Sequence, residues 1–375
     1  MPPKQNSDLR DCLLVVRMRW FTFLEAYTGR RTLVVNCRCR SHQKVIPSAS
    51  FRYNLAYPGS QSALEGTMKK MSRLTVFTCV VAALVFGLSR HTSQAQTAGQ
   101  PAPDHPAVTV QGHTYTPRSI LARNMGTPED QTTQFPPHKV IGNIYYVGTR
   151  TLSSFLVVTP QGNILIDSTY ERNVPTIEKS IQKLGFKFSD IKILLGNHAH
   201  GDHQEGDALV KQLTGAQVMA MAEDVPALQA IKPGGKEHPV DKMLHDGASV
   251  TLGGTTLVAH LTPGHTRGCT TWTMKTQEGG KTYNVVINCS LRPPAALTPA
   301  LVAEFNRSFK LVRSLPCDVP LGDHPAQYRM EEKYAKLRNG SRNPFIDAAG
   351  CRLEADIEEA MFHAILAEQQ KAAQP

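Results

Sequence analysis

No apolar run in this 375-residue chain reaches the ~18–20 residues that a membrane-crossing helix needs, which excludes a polytopic membrane protein. Internal repeats and low-complexity tracts are also missing, which excludes solenoids and repeat arrays. Excess charge is absent from most of the chain. Residues 96–375 hold 27 Lys/Arg and 27 Asp/Glu, so this stretch offers nucleic-acid phosphate little to bind. The formal charge of +10 arises entirely upstream. Residues 1–67 carry ten basic and four acidic side chains, and residues 68–95 carry four basic and no acidic ones. What is present is enough for a core: 41% of the residues are hydrophobic, which excludes wholesale disorder.

The acid-free stretch has the layout of an export signal. Met68-Lys69-Lys70-Met71-Ser72-Arg73 is a basic lead, Leu74–Leu88 is apolar, and Ser93-Gln94-Ala95 is a small-x-small exit. The expectation is a signal peptide over 68–95, with the mature chain starting at Gln96 in the periplasm and free of the membrane. The alternative is an N-terminal anchor. Residues 1–67 show no recognisable plan. They read as an extension upstream of a true start at Met68 or Met71, the alternative being a genuine cytoplasmic extension. Of the eight cysteines, cleavage would leave Cys269, Cys289, Cys317 and Cys351. Four cysteines allow three full pairings, and sequence alone does not choose among them.

Residues 96–137 read as a polar, Pro-bearing lead with one short strand at Val108–Val110 and no strong element over 111–137. From 138 to 375 the pattern is regular. Strands are expected over Val140–Val147, Ser154–Val158, Asn163–Asp167, Ile191–Leu195, Gln217–Met221, Ser249–Leu252, Thr256–His260, Thr270–Met274 and Tyr283–Ile287. Helices are expected over Val174–Leu184, Asp207–Leu213, Leu301–Leu315 and Glu354–Gln370. This mixture predicts an α/β (α+β) domain, with two mixed sheets and helices outside.

Six side chains stand out as metal ligands. Four lie in the run His198-Ala199-His200-Gly201-Asp202-His203, directly after an apolar strand. The others are His265, in Thr262-Pro263-Gly264-His265, and His324, in Gly322-Asp323-His324-Pro325. Three His and an Asp within six residues are costly to bury without a partner. Neutral imidazole suits Zn²⁺, and a carboxylate offsets its charge. If the run is extended, alternate side chains face one way. His198 and His200 then share one metal, and Asp202 and His203 turn toward a second. Two such metals can share a hydroxide that is nucleophilic at neutral pH. His105, His113, His138, His238, His245, His260 and His363 lack such company and read as ordinary surface or core histidines.

The three segments, spaced ~60 residues apart, resemble the metallo-β-lactamase superfamily over roughly residues 138–370. The resemblance implies a single four-layer αβ/βα sandwich with the metals at one edge of the sheets. Within the family the chain looks like subclass B3. His203 occupies a position where other subclasses carry another residue. In Asn288-Cys289-Ser290-Leu291 it is Ser290 that aligns with the Cys ligand of those subclasses, although a slip of one residue would make Cys289 a ligand. Leu315-Pro316-Cys317-Asp318-Val319 and Asn343-Pro344-Phe345-Ile346-Asp347 with Gly350-Cys351 resemble the C-terminal part of B3 enzymes, which implies a Cys317–Cys351 disulfide.

By this resemblance His198, His200 and His265 hold one zinc, and Asp202, His203 and His324 hold the second. A shared metal-bound hydroxide opens the β-lactam amide of a penicillin, cephalosporin or carbapenem, with His200 and Asp202 in the catalytic centre and Asp202 orienting the hydroxide. Ser290 and Arg292 are the candidate contacts to the substrate carboxylate, Arg292 pointing to solvent in the alternative. Asp167 either supports the histidine loop from behind or caps its strand. Asn197 and Thr266 flank the metals. The partner is a small molecule, neither nucleic acid nor membrane, and the protein is read as a monomer. The competing reading is an exported metallohydrolase of the same fold acting on another ester, lactone or phosphodiester. Against it, residues 288–290 offer no bridging carboxylate.

Overall fold

The computed structural model describes residues 103–374 apart from 233, 234 and 341, together with three upstream strands, β1 (Leu13–Phe21), β2 (Arg31–Arg40) and β3 (Ala49–Leu55). The chain divides into two units, residues 1–97 and 98–375. In the first, β1, β2 and β3 pair in order as an antiparallel sheet. The expected signal over 68–95 lies outside the described residues.

The second unit opens with the hairpin β4 (Val108–Val110) and β5 (His113–Tyr115), then helix α1 (Pro117–Met125). Apolar spacing over 111–137 predicts no strong element here. The helix is set by its ends instead. Thr116 accepts from the Ser119 N–H while the Ser119 hydroxyl accepts from the Thr116 N–H, and Pro117 takes the first turn.

A seven-stranded sheet follows. It contains β6 (His138–Ile141), β7 (Ile144–Tyr146), β8 (Phe155–Thr159), β9 (Gly162–Ile166), β10 (Ile191–Leu195), β11 (Gln217–Met221) and β12 (Lys242–Leu244), in the order β12-β11-β10-β9-β8-β7-β6. The single strand expected over 140–147 is thus two strands. Gly142 turns the chain between them at φ 53°, and a Cβ there would lie 2.0 Å from Thr276 Oγ1. The strands β6 to β9 pair antiparallel, and β9 to β12 pair parallel through helical crossovers. Those crossovers contain α2 (Val174–Lys183), the short turn α3 (Gly201–Gln204), α4 (Asp207–Thr214) and α5 (Val225–Ala230).

The second sheet has the order β13 (Ser249–Leu252), β14 (Thr255–Leu261), β15 (Thr270–Glu278), β16 (Lys281–Asn288) and β17 (Val319–Gly322). It is antiparallel except at β16–β17. Helices α6 (Pro299–Ser314), α7 (Met330–Arg338) and α8 (Leu353–Ala372) complete the unit. None of the described helices is long and apolar enough to cross a membrane.

Strand alternation builds the layers. Phe155, Val157, Ile164, Ile166, Ile193 and Leu195 point inward to meet Leu257, Ala259, Trp272, Met274, Val285 and Ile287 of the other sheet. Leu156, Leu165 and Leu194 point the other way, onto Val174, Ile177 and Ile181 of α2 and Val210 of α4. Each such buried side chain contributes roughly 1.5–3 kcal/mol. Phe305 and Phe309 of α6 pack with Met361 and Phe362 of α8 and Ile120 of α1. The architecture is the expected αβ/βα sandwich. Two disulfides tie the second half: Cys317–Cys351, as the resemblance implied, and Cys269–Cys289. With sequence separations of 34 and 20, they contribute about 4 and about 3 kcal/mol in the loop-entropy account.

Candidate metal centre

Strand β10 delivers the histidine run to the sheet edge. Beyond Leu195, Gly196 O accepts from the Trp272 indole at 3.2 Å, and Asn197 O accepts from the Thr270 N–H at 2.8 Å. Backbone bonds thus hold the run to the second sheet before its first ligand. His198 to His200 is not followed by further extended chain. His200 is extended (φ −115°, ψ 153°) and N-caps α3, so Asp202 and His203 project from a helical turn. The turn is closed by His203 N–H and Gln204 N–H donating to His200 O at 3.1 and 3.0 Å. This corrects the expectation of a wholly extended loop, while still sending the two pairs of side chains in different directions.

The six candidate ligands assemble as two groups. In His198, His200 and His265 the candidate donor atoms lie within 4.8 Å of one another, and the same holds for Asp202, His203 and His324. His198 Nε2 and His200 Nδ1 are 2.9 Å apart. The His265 ring lies 4.7 Å from that of His198 and 4.8 Å from that of His200. In the second group, His203 Nε2 and His324 Nε2 lie 3.3 and 3.9 Å from Asp202 Oδ2. The groups meet where the rings of His198 and His203 lie 4.2 Å apart, tilted by 43°. His198, His203 and His324 are buried, whereas His200, His265 and Asp202 are half-buried at the mouth.

Outer partners orient the rings. His265 Nδ1 donates to Arg292 O at 3.0 Å, and His324 Nδ1 to Thr151 O at 2.9 Å. His203 Nδ1 faces Asp167 Oδ2 at 3.3 Å, and His198 Nδ1 faces Asp323 Oδ2 at 3.4 Å. Occupying Nδ1 turns each Nε2 inward, where a neutral ring offers its lone pair. Asp167 also accepts the Asn197 N–H at 2.7 Å. Its geometry is that of a group supporting the run from behind, reached by an unusual backbone at φ 61°.

Burial sets the electrostatics. It pushes His198 down to about 3, aided by the neighbouring His203 charge. Burial likewise lowers His200, His265 and His324, favouring neutral imidazoles. For His203 burial is outweighed by the Asp202 carboxylate and the Asp167 bond, which hold it well above the ordinary histidine value. For Asp202 burial is outweighed by the His203 charge, which holds it well below the usual carboxylate range.

These residues fit a divalent cation. His203 Nε2 is buried and makes no well-formed hydrogen bond; it lies 3.3 Å from Asp202 Oδ2, another candidate ligand, on the inward edge of the second group. Five imidazoles and one carboxylate are the donor chemistry of zinc.

Other expected residues fall differently. Ser290 is only 3% exposed, and its hydroxyl lies 3.4 Å from both Asp323 Oδ1 and Gln327 Nε2. Ser290 is thus buried against the side chains of Asp323 and Gln327. Arg292 is half-buried, and its charge bears on His200 and His265. Cys289 is joined to Cys269, so its sulfur is not a free thiolate ligand. His238 is buried against Asp207 and Gln204 O and belongs to neither group, an ordinary core histidine. Two further carboxylates bear on the site: Asp323, within the Gly-Asp-His-Pro segment, and Asp224, which no sequence motif marks.

Residues 147–276 match the family described as the metallo-beta-lactamase superfamily. Among solved structures, the chain is similar to the FEZ-1 metallo-beta-lactamase from Legionella gormanii, with 45% identity over 64% of this chain and 98% of that one and a TM-score of 0.61. It is also similar to BJP-1, a subclass B3 metallo-beta-lactamase of Bradyrhizobium japonicum, at 36% identity over 66% and 99% of the two chains, TM-score 0.60. The metallo-beta-lactamase SMB-1 matches at 33% identity over 64% and 99%, TM-score 0.60.

Proposed function

The chain belongs to the metallo-β-lactamase superfamily, and from that membership and the two ligand groups we propose that it is an exported zinc β-lactamase of the B3 type. Its substrates are small-molecule penicillins, cephalosporins or carbapenems, and it acts as a monomer in the periplasm. The observation that carries this reading is the pair of three-ligand groups meeting at His198 and His203, with His200, His265 and Asp202 half-buried.

His198, His200 and His265 would hold one zinc, and Asp202, His203 and His324 the other. Bound there, zinc supplies Lewis acidity and lowers the pKa of water into the neutral range. The chain's own residues do the rest. Asp167 and Asp323 fix the rings of His203 and His198, so the donor set is preorganised before substrate arrives. The Asp202 carboxylate, ionised and facing the mouth, accepts a hydrogen bond from the attacking water and orients it toward the lactam carbonyl. Among the described residues the Arg292 guanidinium has no ion pair or hydrogen bond of its own. It is the cation that pairs with the substrate carboxylate at the mouth.

The test is turnover of one penicillin, one cephalosporin and one carbapenem by the zinc-loaded protein, with and without chelator. Chelator-sensitive opening of at least one is expected. Turnover only of an ester, lactone or phosphodiester would move the protein to the competing reading. Export is tested separately by N-terminal sequencing of the native protein, which should begin at Gln96 or a neighbour. An intact terminus near Met1 would refute it.

A further inference from the structure

Asp224 closes the short turn before α5, far in sequence from every ligand, and is 2% exposed. Its Oδ2 accepts the Ala199 N–H at 2.8 Å and the Thr266 hydroxyl at 2.7 Å. Its Oδ1 accepts the Gly268 N–H at 2.6 Å. Ala199 lies between His198 and His200, and Thr266 follows His265. One carboxylate thus clamps together the two segments that carry all three members of the first group. Its side-chain hydrogen bonds go to Ala199, Thr266 and Gly268, and so reach neither the α3 turn bearing Asp202 and His203 nor the His324 segment. The approach depends on Gly268: a Cβ there would lie 2.5 Å from Asp224 N and 2.6 Å from Asp224 Cβ. Two buried backbone N–H groups, at Ala199 and Gly268, have this carboxylate as their acceptor.

We propose that Asp224 is a positioning residue selective for the first zinc site: it sets the separation of the His198–His200 segment from His265 and leaves the Asp202, His203 and His324 site alone. The inference rests on the two-zinc reading. Charge-assisted bonds to N–H donors are the strong class, so loss of this clamp should be felt in metal affinity.

The experiment is Co²⁺ binding to the purified protein, followed by absorbance, in two backgrounds. In His324→Ala only the first group is complete, and adding Asp224→Asn should weaken Co²⁺ uptake about ten- to a hundredfold. In His265→Ala only the second group is complete, and Asp224→Asn should leave its affinity unchanged. Asn keeps the volume but turns an amide donor onto an N–H. Thr266→Val, which removes one of the three bonds, should give the same one-sided loss on a smaller scale and serves if Asp224→Asn does not fold. Equal weakening in both backgrounds, or no change in the first, overturns the proposal. Failure of the unsubstituted protein to take up any Co²⁺ would instead overturn the metal reading itself.

Discussion

His203 presents Nδ1 to Asp167 Oδ2 at 3.3 Å, across 36 residues of sequence, and so leaves Nε2 aimed at Asp202. The same Asp167 holds the Asn197 N–H. A carboxylate behind an imidazole fixes the tautomer and raises ligand basicity. Asp167→Asn should therefore lower affinity for the second metal about ten- to a hundredfold while secondary structure stays intact. Metal titration by calorimetry checks this, and unchanged affinity would mean that Asp167 only caps its strand.

Removal of a direct ligand should be harsher. His200→Ala and Asp202→Ala should each cost orders of magnitude in turnover. Steady-state rates at saturating zinc make the comparison, and near-wild-type rates in either would refute the assignment of that residue.

Arg292→Ala should act mainly on binding. Hydrogen bonds to charged groups are worth about 1.5–3 kcal/mol, so KM for a carboxylate-bearing β-lactam should rise roughly ten- to a hundredfold with a smaller change in kcat. An unaltered KM would show that the guanidinium points to solvent.

Stability should depend on pH through Glu358. It is fully buried on α8 beside Glu354, with Arg123 and Arg292 nearby. Arg123 pairs with Glu354 at 2.7 and 2.8 Å and is taken up by it. Burial, with the Glu354 charge second, pushes Glu358 up to about 8. A raised folded-state value means that the contribution is fully present below the ordinary glutamate range and is lost as pH climbs toward 8. The wild-type melting temperature should therefore fall between pH 5 and pH 8.5 relative to Glu358→Gln. A difference between the two proteins that does not change with pH would contradict the assignment.

Replacing both Cys269 and Cys289 by Ser should destabilise the protein by about 3 kcal/mol while leaving zinc at two per chain. Denaturant unfolding and metal analysis read the two effects independently. Loss of one zinc would restore Cys289 as a ligand.

Much of the centre was legible because its ligands are dense in sequence. Three His and an Asp between 198 and 203 have no common structural use. Asp224 was illegible for the opposite reason: an isolated acid before a short helix looks like any cap, and only the folded chain brings Ala199, Thr266 and Gly268 to it. The helix at 117–125 was hidden because capping at Thr116, not an apolar stripe, defines it. The need for glycine at the Gly142 bend was hidden because Thr276, which leaves no room for a side chain there, lies on the other sheet. Ser290 reads in the sequence as a hydrogen-bond donor to the substrate carboxylate; that its hydroxyl is buried against Asp323 and Gln327 is visible only in the folded chain.

The most direct test of the account titrates zinc into metal-free protein while the opening of a β-lactam is followed by absorbance in the same cuvette. Turnover should rise with added zinc, level off at two equivalents and vanish on chelation. Zinc uptake to two equivalents without opening of any penicillin, cephalosporin or carbapenem would contradict it.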